Sequence, residues 1–536
     1  MITRRELVRS GLGWVSAAAL AGLSVREAGP GTALAAAPSA GSVQRGGEIV
    51  QAQSFTFPTF DLHVSSYSLL AGYVMLFDCL VRYDPASPDG QTFGVKPGLA
   101  ESWEQPDPRT VVFHLRRGVR FHDGSEFNGA VAKWNLERLR DHPQSVGKTY
   151  LTDVVSVDAP NAATLRVQLA KPSGSLPFRM STANFNIMGM QSKAAFDKGG
   201  DAALARTPIG TGPMKFRQWI TDDRLVLDRN PDYWRTGADG KPLPYVDSLV
   251  SRYIPDLTVA VPDLQSGALT AAENMPVNQL AAIRSNPRLK LIEWPWAGPS
   301  YFHLGLNMFK PPFNDVRVRR AALYGIDRES MAKALGFGYA KPRYYAYWTQ
   351  GMAGYDSSIV TYPYDPDKTR SLLREAGYQN GIETDLLIIQ REPEATIGQF
   401  AVEMWSKIGI KTSLRALERL SWINAVHAFD FKAMFSRNTP QQADPVQLSA
   451  SILSHAPLNW SGFKDDQIDF AMKSADSSTD PKTRAADYRQ ALARLQEQAY
   501  IGDGYTLPFN HVASARLEGL FPQFGVPDFS QAWLHA

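Results

Sequence analysis

The stretch around residue 440 carries the side chains that are most informative about a ligand. Arg437, Asn438, Gln441 and Gln442 offer N–H donors for carboxylate, phosphate or hydroxyl oxygens. Asp444 adds a carboxylate, although an aspartate in front of a proline is equally typical of a turn. These residue types favour a site that holds a polar solute by hydrogen bonds.

Other polar patterns could serve acid–base chemistry. His122 and the adjacent Asp123 could act as a general base and the carboxylate that orients it. They stand in a turn before a predicted helix, however, and capping or turn formation explains them better. The carboxylate pairs at 222–223 and 465–466 fall in polar loops or at helix starts, which favours solvated or capping groups.

Motifs for cofactors, metals and nucleophiles are missing from the sequence. Gly210 and Gly212 lack the third glycine and the Lys-Ser/Thr pair of a phosphate loop. The nine histidines are scattered without zinc-ligand spacing, and His114 and His303 fall in apolar strand patterns typical of structural histidines. No G-x-S-x-G motif is present. We therefore expect no catalytic residue, no cofactor and no bound metal, and we do not expect an enzyme.

Residues 98–140 show which elements could position such groups. The alternating segment 111–116 predicts a half-buried strand, and Gly124 belongs to the turn that follows it. Asn128 then predicts the N-cap of an amphipathic helix. The order strand, turn and helix indicates a domain of mixed α and β structure.

The later sequence predicts a second region of this kind. Asp365, followed by proline, opens a capped helix that ends at Gly377. A strand at 386–389, a helix at 397–408 and a strand at 410–414 form a βαβ unit. This alternation is typical of an α/β lobe with parallel strands.

The amino-acid sequence resembles the family 5 extracytoplasmic solute-binding proteins in three segments, 98–140, 208–213 (PIGTGP) and 307–331. These proteins are the dipeptide, oligopeptide and nickel-chelate receptors of ABC importers. The resemblance covers nearly everything beyond residue 83. It implies an α/β, two-lobed periplasmic binding protein of type II, cluster C-like, with an extra inserted domain.

The resemblance also implies a domain division. Domain I would comprise 46–84, 208–297 and 506–536; domain II, inserted in it, 85–207; and domain III 298–505. The preceding residues divide into a signal peptide (1–37) and a flexible leader (38–45).

In peptide-binding members of the family, an aspartate grips the α-ammonium group of the ligand. We align Asp444-Pro445 with the acidic residue and proline that these receptors carry. In this alignment Gln441 takes the position of the ligand-binding aspartate, and Asn438 takes the position of a tryptophan. A neutral amide cannot pair a buried ammonium. The resemblance therefore predicts a ligand site in which this contact has changed.

Three more residues are placed in the cleft by the resemblance. Asn510 and His511 stand where family members carry a tyrosine-rich ligand wall, and Tyr67 matches an early segment that lines one side. With Arg437, Asn438, Gln441 and Asp444 they complete the predicted ligand-binding set.

The N-terminus predicts export. Arg4 and Arg5 precede the apolar run 11–23, which is too short to span a bilayer and is similar to a twin-arginine signal, with small residues at 33–35 for cleavage. The single cysteine, Cys79, lies in an apolar run, so it predicts neither a disulfide nor a lipid anchor. A freely soluble periplasmic protein is expected.

Composition limits the partners. The chain has 56 Lys plus Arg against 53 Asp plus Glu, a net charge of +3, which argues against a nucleic-acid-binding surface. The resemblance implies a monomer that captures a peptide or peptide-like solute and hands it to a membrane ABC permease and ATPase complex. Three alternatives remain open: a non-peptide solute (an opine, a sugar-phosphate-like compound or a metal chelate), a secreted hydrolase on this fold, and a chaperone that binds exposed peptide.

Overall fold

The computed structural model describes residues 43–65, 70–84, 94–182, 187–294, 300–345, 347–438, 444–507, 509–523 and 526–535. The predicted signal peptide and most of the predicted leader lie outside these ranges. Residues 37–536 form one compact unit. Within the described residues, no helix combines the length and apolarity that crossing a bilayer requires.

Strands and helices alternate along most of the chain. The strands are β1 (Glu48–Gln53), β2 (Val81–Asp84), β3 (Gly94–Pro97), β4 (Ala100–Asp107), β5 (Thr110–Leu115), β6 (Val154–Asn161), β7 (Thr164–Leu169), β8 (Met214–Ile220), β9 (Arg224–Arg229), β10 (Ser248–Tyr253), β11 (Ala271–Glu273), β12 (Leu289–Trp294), β13 (Ser300–Leu306), β14 (Lys341–Pro342), β15 (Ile382–Ile389), β16 (Ile410–Leu417), β17 (Ala433–Asn438), β18 (Ile501–Asp503), β19 (Tyr505–Thr506), β20 (Phe509–Ser514), β21 (Leu517–Glu518), β22 (Phe521–Gln523), β23 (Val526–Asp528) and β24 (Trp533–Leu534). The helices are α1 (Ala71–Leu76), α2 (Gly129–Asp141), α3 (Leu176–Arg179), α4 (Lys193–Arg206), α5 (Val261–Ser266), α6 (Leu280–Arg284), α7 (Val316–Tyr324), α8 (Arg328–Leu335), α9 (Pro366–Glu375), α10 (Glu394–Ser406), α11 (Arg419–His427), α12 (Ser449–Ile452), α13 (Asp466–Ser477) and α14 (Pro481–Glu497).

The first sheet has seven strands in the order β12-β20-β11-β1-β10-β9-β8. β1 runs parallel to β10 and β11, and the outer pairs are antiparallel. Side chains alternate between the two faces along these strands. In β9, Leu225 and Leu227 are buried, and Arg224, the first residue of the strand, is exposed. Separate apolar clusters cover the two faces, with Ala271 in one and its neighbour Ala272 in the other.

A smaller antiparallel sheet, β4-β5-β7-β6, carries the strand and helix predicted from residues 98–140. The Asn128 side chain accepts a hydrogen bond from the Val131 N–H at 3.2 Å, so the predicted N-cap of α2 is confirmed. β5 is more buried than its alternation predicts, and only His114 is partly exposed. The reason is that β5 is an inner strand with β4 and β7 on either side.

The second seven-stranded sheet runs β14-β19-β13-β17-β15-β16, with β18 on β13. β15, α10 and β16 form the predicted βαβ unit, and β17 lies parallel to β15 on the other side. Trp405 of α10 is fully buried in the core that fills this part of the molecule. Asp365 caps α9 by accepting from the Lys368 N–H at 2.8 Å, and Gly377 after the helix has φ 94°, both as predicted.

The chain crosses twice between the two seven-stranded sheets, and the crossings are neighbours. It leaves the first sheet at Trp294 and enters the second at Ser300, then returns from Thr506 to Phe509. Trp294 pairs with Phe509, and Ser300 pairs with Thr506. We call the two sheet edges that carry these residues the first and second crossing edges.

Candidate functional site

The carboxyl ends of the parallel strands in both large sheets lie at the crossing edges. In the first sheet, Glu273 at the end of β11 pairs with His511, two residues after the crossing residue Phe509. In the second sheet, Asn438 at the end of β17 pairs with the crossing residue Ser300. Ligands of open α/β sheets bind outside the carboxyl ends of the strands. The crossing edges are therefore the candidate ligand site.

Two predicted ligand residues lie at the first crossing edge. Asn510 is 7% exposed, and its side-chain amide donates to the Met275 carbonyl at 3.2 Å. Its Oδ1 atom has no hydrogen-bond partner among the described residues. His511 is 1% exposed and lies on the opposite face of β20, directly across from Glu273 on one side and Ile292 on the other. Both residues thus lie in β20 at this edge, and their predicted contact with a ligand stays a prediction.

Glu273 is a candidate that sequence reasoning missed. It is 4% exposed, and burial without a compensating charge raises the pKa of its carboxyl group to about 8. An acidic residue at the end of the apolar run Leu269–Ala272 was the available signal. Its meaning depends on a partner strand more than two hundred residues away, which the sequence does not indicate.

Two predicted ligand residues lie at the second crossing edge. Arg437 and Asn438 are the last two residues of β17, and the structure describes their backbone. Tyr67 and Gln441 lie outside the described residues. The predictions of a ligand contact for these four residues stay predictions.

Asp444 is engaged in contacts with the protein itself. Its carboxylate accepts from Arg484 Nη2 at 2.7 Å, from the Tyr488 hydroxyl at 3.0 Å and from the Val446 N–H at 2.9 Å. It also begins a 3₁₀ turn, which is the turn-forming role considered for an aspartate before proline. Arg484 and Tyr488 belong to α14, so Asp444 ties the segment after β17 to that helix.

A buried polar network lies beside the second crossing edge. His303 of β13 contacts Asp503 through Nδ1 at 3.1 Å and the Tyr347 hydroxyl through Nε2 at 3.1 Å. Arg343 Nε lies 2.7 Å from the other carboxylate oxygen of Asp503. Burial raises the pKa of Tyr347, so its hydroxyl keeps its proton. With every ring nitrogen of His303 in contact with a partner, the histidine is structural, as its sequence setting predicts.

His122 and Asp123 do not contact each other as a base and its orienter would. His122 Nε2 donates to the Gly212 carbonyl at 3.0 Å, and Nδ1 accepts from the Gly210 N–H at 3.3 Å. Burial lowers the pKa of His122 to about 4, so the ring is neutral at pH 7. Asp123 accepts from the Ser125 N–H at 2.9 Å, which completes the turn. His122 thus fastens this turn to residues 210–212, which lead into β8.

One further contact joins the small antiparallel sheet region to the second large sheet region. Asp476 Oδ1, at the end of α13, accepts from the hydroxyls of Ser173 at 2.8 Å and Ser175 at 2.7 Å. The Gly174 N–H donates to the Asp476 carbonyl at 2.6 Å. We call this the serine contact, and it joins the two regions independently of the chain crossings.

The described residues offer no better candidate site than the crossing edges, either as a pocket or as a metal-binding cluster. A small pocket is lined by Asp78, Arg82, Arg235, Asp528 and Ser530, among others, and by none of the predicted ligand residues. Tyr233, Trp234 and Thr211 donate to the Asp78 carboxylate, which gives it a structural setting. In the described part of the chain, no group of three or more His, Cys, Asp or Glu could hold a metal ion.

Comparison with known proteins gives consistent matches. The family model described as bacterial extracellular solute-binding proteins, family 5, matches residues 94–460. Heme-binding protein A of Haemophilus influenzae is 27% identical, over 82% of this chain and 83% of that protein. Glutathione-binding protein GsiB of Salmonella choleraesuis is 28% identical, over 74% of this chain and 78% of that protein.

Solved structures match over almost the whole chain. HbpA2 from Haemophilus parasuis has a TM-score of 0.81 at 23% identity, covering 91% of this chain and 100% of that one. The periplasmic binding protein DppA from Helicobacter pylori, in complex with the peptide STSA, has a TM-score of 0.72 at 24% identity, covering 92% and 99%. These structures are two-lobed binding proteins, and the α/β architecture described above has the same fold.

Proposed function

The chain belongs to the bacterial extracellular solute-binding proteins of family 5, and from this premise we propose that it captures a peptide or peptide-like solute between its crossing edges. The protein would deliver the solute to a membrane ABC permease and ATPase complex. Proteins of this family are binding proteins, and the chemistry proposed here is capture and release without bond breaking.

The proposal rests on the position of the predicted ligand residues at the two crossing edges, where the chain passes from one large sheet to the other. Asn510 and His511 lie on one edge, and Arg437 and Asn438 end the strand that pairs with the crossing residue of the other. The residues that flank the two crossings pair with each other, Trp294 with Phe509 and Ser300 with Thr506, which suits a hinge. Closure about such a hinge would bring both sets of polar groups onto one solute and exclude water from it.

Each predicted residue has a chemical role in this proposal. Arg437 supplies a planar pair of donors for a carboxylate, and Asn438 and Gln441 supply amide groups for backbone-like donors and acceptors. The free Oδ1 of Asn510 is an acceptor for an N–H group. Tyr67 would form a flat wall.

Asp444 and His511 have supporting roles in the same proposal. Asp444 would act indirectly, because its contacts with α14 fix the segment that follows β17. His511 would border the solute from the buried face of β20.

The relatives support a peptide-like solute as the first ligand class to test. One is named for glutathione, which is itself a modified tripeptide, and another for haem. A second class, a non-peptide solute such as an opine or a sugar phosphate, is favoured by the neutral Gln441 at the position where peptide receptors carry an aspartate. Both classes carry anionic groups that Arg437 would bind.

The site of action and the domain division are also proposals. We infer export by a twin-arginine signal in residues 1–37, a mature monomer in the periplasm, and domains I, II and III at the boundaries given above. Replacing Arg4 and Arg5 by lysine should leave precursor in the cytoplasm. Processing at the normal rate would reject the twin-arginine route while leaving the binding function intact.

Titration calorimetry of the mature chain tests the binding function. The panel is glutathione, a free tetrapeptide, haem and an opine, and we expect one of them to bind with one site per chain. Arg437→Ala should then weaken an anionic solute by about 1.5–3 kcal/mol, the value of a hydrogen bond to a charged group. The matched control is Arg415→Ala in β16, whose guanidinium pairs with surface Asp430. Equal losses in both variants would remove Arg437 from the site.

A further inference from the structure

Glu273 is a buried carboxylic acid at the first crossing edge. It is the last residue of β11, on the same face of the sheet as Ala271, because side chains alternate along a strand. Gln51 of β1 pairs with Ala271, and His511 of β20 pairs with Glu273, so polar side chains from three strands share this face. Glu273 is 4% exposed, so it is almost completely buried at this end of the sheet.

No counter-charge to this group comes from the part of the chain that the structure describes. Among the described residues, the Glu273 carboxyl group has no hydrogen-bond or ion-pair partner, and burial alone perturbs it. The neighbouring amides are occupied elsewhere: Gln51 donates to Ser251 at 3.0 Å, and Gln53 donates to the Phe55 carbonyl at 2.7 Å. An acid in this setting is destabilising unless something outside the chain pairs with it.

We propose that Glu273 is the anchor for a protonated amine of the solute, and this inference rests on the proposed function of the crossing edges. A carboxylate accepts N–H bonds from an ammonium group, and the exclusion of water strengthens that pair. The chain would thus take its amine anchor from the first crossing edge, because the sequence register places a neutral residue, Gln441, where peptide-binding members carry the aspartate. The solute class is therefore an amine that also carries an anionic group for Arg437.

The ionisation of Glu273 supplies a signature of this contact. A pKa of about 8 leaves the empty site mostly protonated at pH 7. Pairing with an ammonium group would stabilise the carboxylate, so binding should release a proton, close to 0.9 per site at pH 7 by the same pKa. The adjacent strand contributes the titratable group His511, and Tyr253 of β10 and Lys290 of β12 lie further along the same face; Gln51 and Gln53 are neutral.

The test compares ligands that differ by one charge. Trialanine and glutathione are titrated beside their N-acetyl derivatives, against the wild type, Glu273→Gln and the control Glu293→Gln. Glu293 lies on β12 at the same edge but pairs with Arg284 on the opposite face. The wild type and the control should prefer a free amine by about tenfold to a hundredfold, and Glu273→Gln should reduce this ratio to about twofold or less.

Proton release is measured by repeating the titrations in buffers with different ionisation enthalpies. Release in the wild type that disappears in Glu273→Gln supports the anchor and excludes His511 as its source. Three results would overturn Glu273 as the amine anchor. They are an unchanged preference for the free amine in Glu273→Gln, no such preference in the wild type, and no binding of either free-amine probe. The proposed function fails separately, if no solute of any class, acetylated or haem-like, binds the wild type.

Glu273→Gln also has an expected effect on the empty protein. The amide is a neutral isostere of the protonated carboxyl group, so the variant should fold at pH 7. Because folding raises the pKa of Glu273 from 4.5 to about 8, the wild type loses stability as the pH rises from 4.5 to 8, and the variant should already be the more stable of the two at pH 7. A loss of the fold at pH 7 would contradict an unpartnered, ligand-facing role.

Discussion

We expect His122 to make the free energy of unfolding decrease at acidic pH, and the magnitude of the decrease follows from the structure. The neutral ring donates through Nε2 to Gly212 and accepts through Nδ1 from Gly210. Protonation of Nδ1 would place a second N–H against the Gly210 N–H. Burial of the ring, followed by the nearby positive charge of Lys215, lowers the pKa of His122 in the folded chain to about 4, against its ordinary value of 6.5.

The sign and magnitude follow from that difference. Between pH 6.5 and pH 4 the unfolded chain binds a proton at this residue and the folded chain does not, so stability falls as the pH falls through this window. At pH 5 the loss is about 2 kcal/mol, since each pH unit below 6.5 costs about 1.4 kcal/mol. The contribution is fully present above pH 6.5.

The perturbation is His122→Gln, because glutamine can accept from Gly210 through its oxygen and donate to Gly212 through its nitrogen without titrating. Urea unfolding at pH 7 and pH 5 should show that the variant loses about 2 kcal/mol less than the wild type on acidification. His427→Gln, at the exposed end of α11, is the control and should keep the wild-type loss. If His122→Gln also loses as much as the wild type, the proposed linkage is wrong.

Three further predictions concern the links between the parts of the fold. Asp61→Asn should lower the free energy of unfolding by about 3–5 kcal/mol in urea titrations, because it leaves buried Arg138 without its bidentate partner; a loss under 1 kcal/mol would contradict this. Gly210→Ala should reduce the yield of folded protein, since a Cβ atom there would collide with the Leu76 carbonyl oxygen, and normal yield with an unchanged melting temperature would show that the loop shifts freely. Asp476→Ala removes the acceptor of two serine hydroxyls, so the radius of gyration measured by small-angle X-ray scattering should increase in the empty protein; an unchanged radius would mean that the serine contact does not restrain the parts.

Local sequence signals predicted the elements well where the determining contacts are local. Asn128 and Asp365 cap their helices through N–H groups three residues ahead, a distance that sequence spacing expresses directly. The βαβ unit was predicted for the same reason, because the apolar periodicity changes within forty residues. These patterns identified an α/β fold before any contact between distant segments was known.

The candidate site was harder to predict from the sequence, because its contacts join segments that lie far apart along the chain. Asp444 is paired by Arg484 forty residues further on, and Glu273 meets His511 only when β11 and β20 become neighbours. Asn510 and His511 lie at a crossing edge, and their contact with a ligand stays a prediction; the resemblance did not indicate the acid across from His511. Such pairs depend on strand order, which sequence periodicity does not contain.

The central claim is that one small solute is held between the crossing edges, and the most direct measurement is mass spectrometry of the mature protein purified without denaturant. Denaturing a sample loaded with its calorimetric ligand should release one small molecule per chain, and the same molecule should be recovered in much lower yield from Arg437→Ala. Recovery in equal amounts from Arg437→Ala and the control Arg415→Ala, or binding with no fixed stoichiometry, would contradict the account.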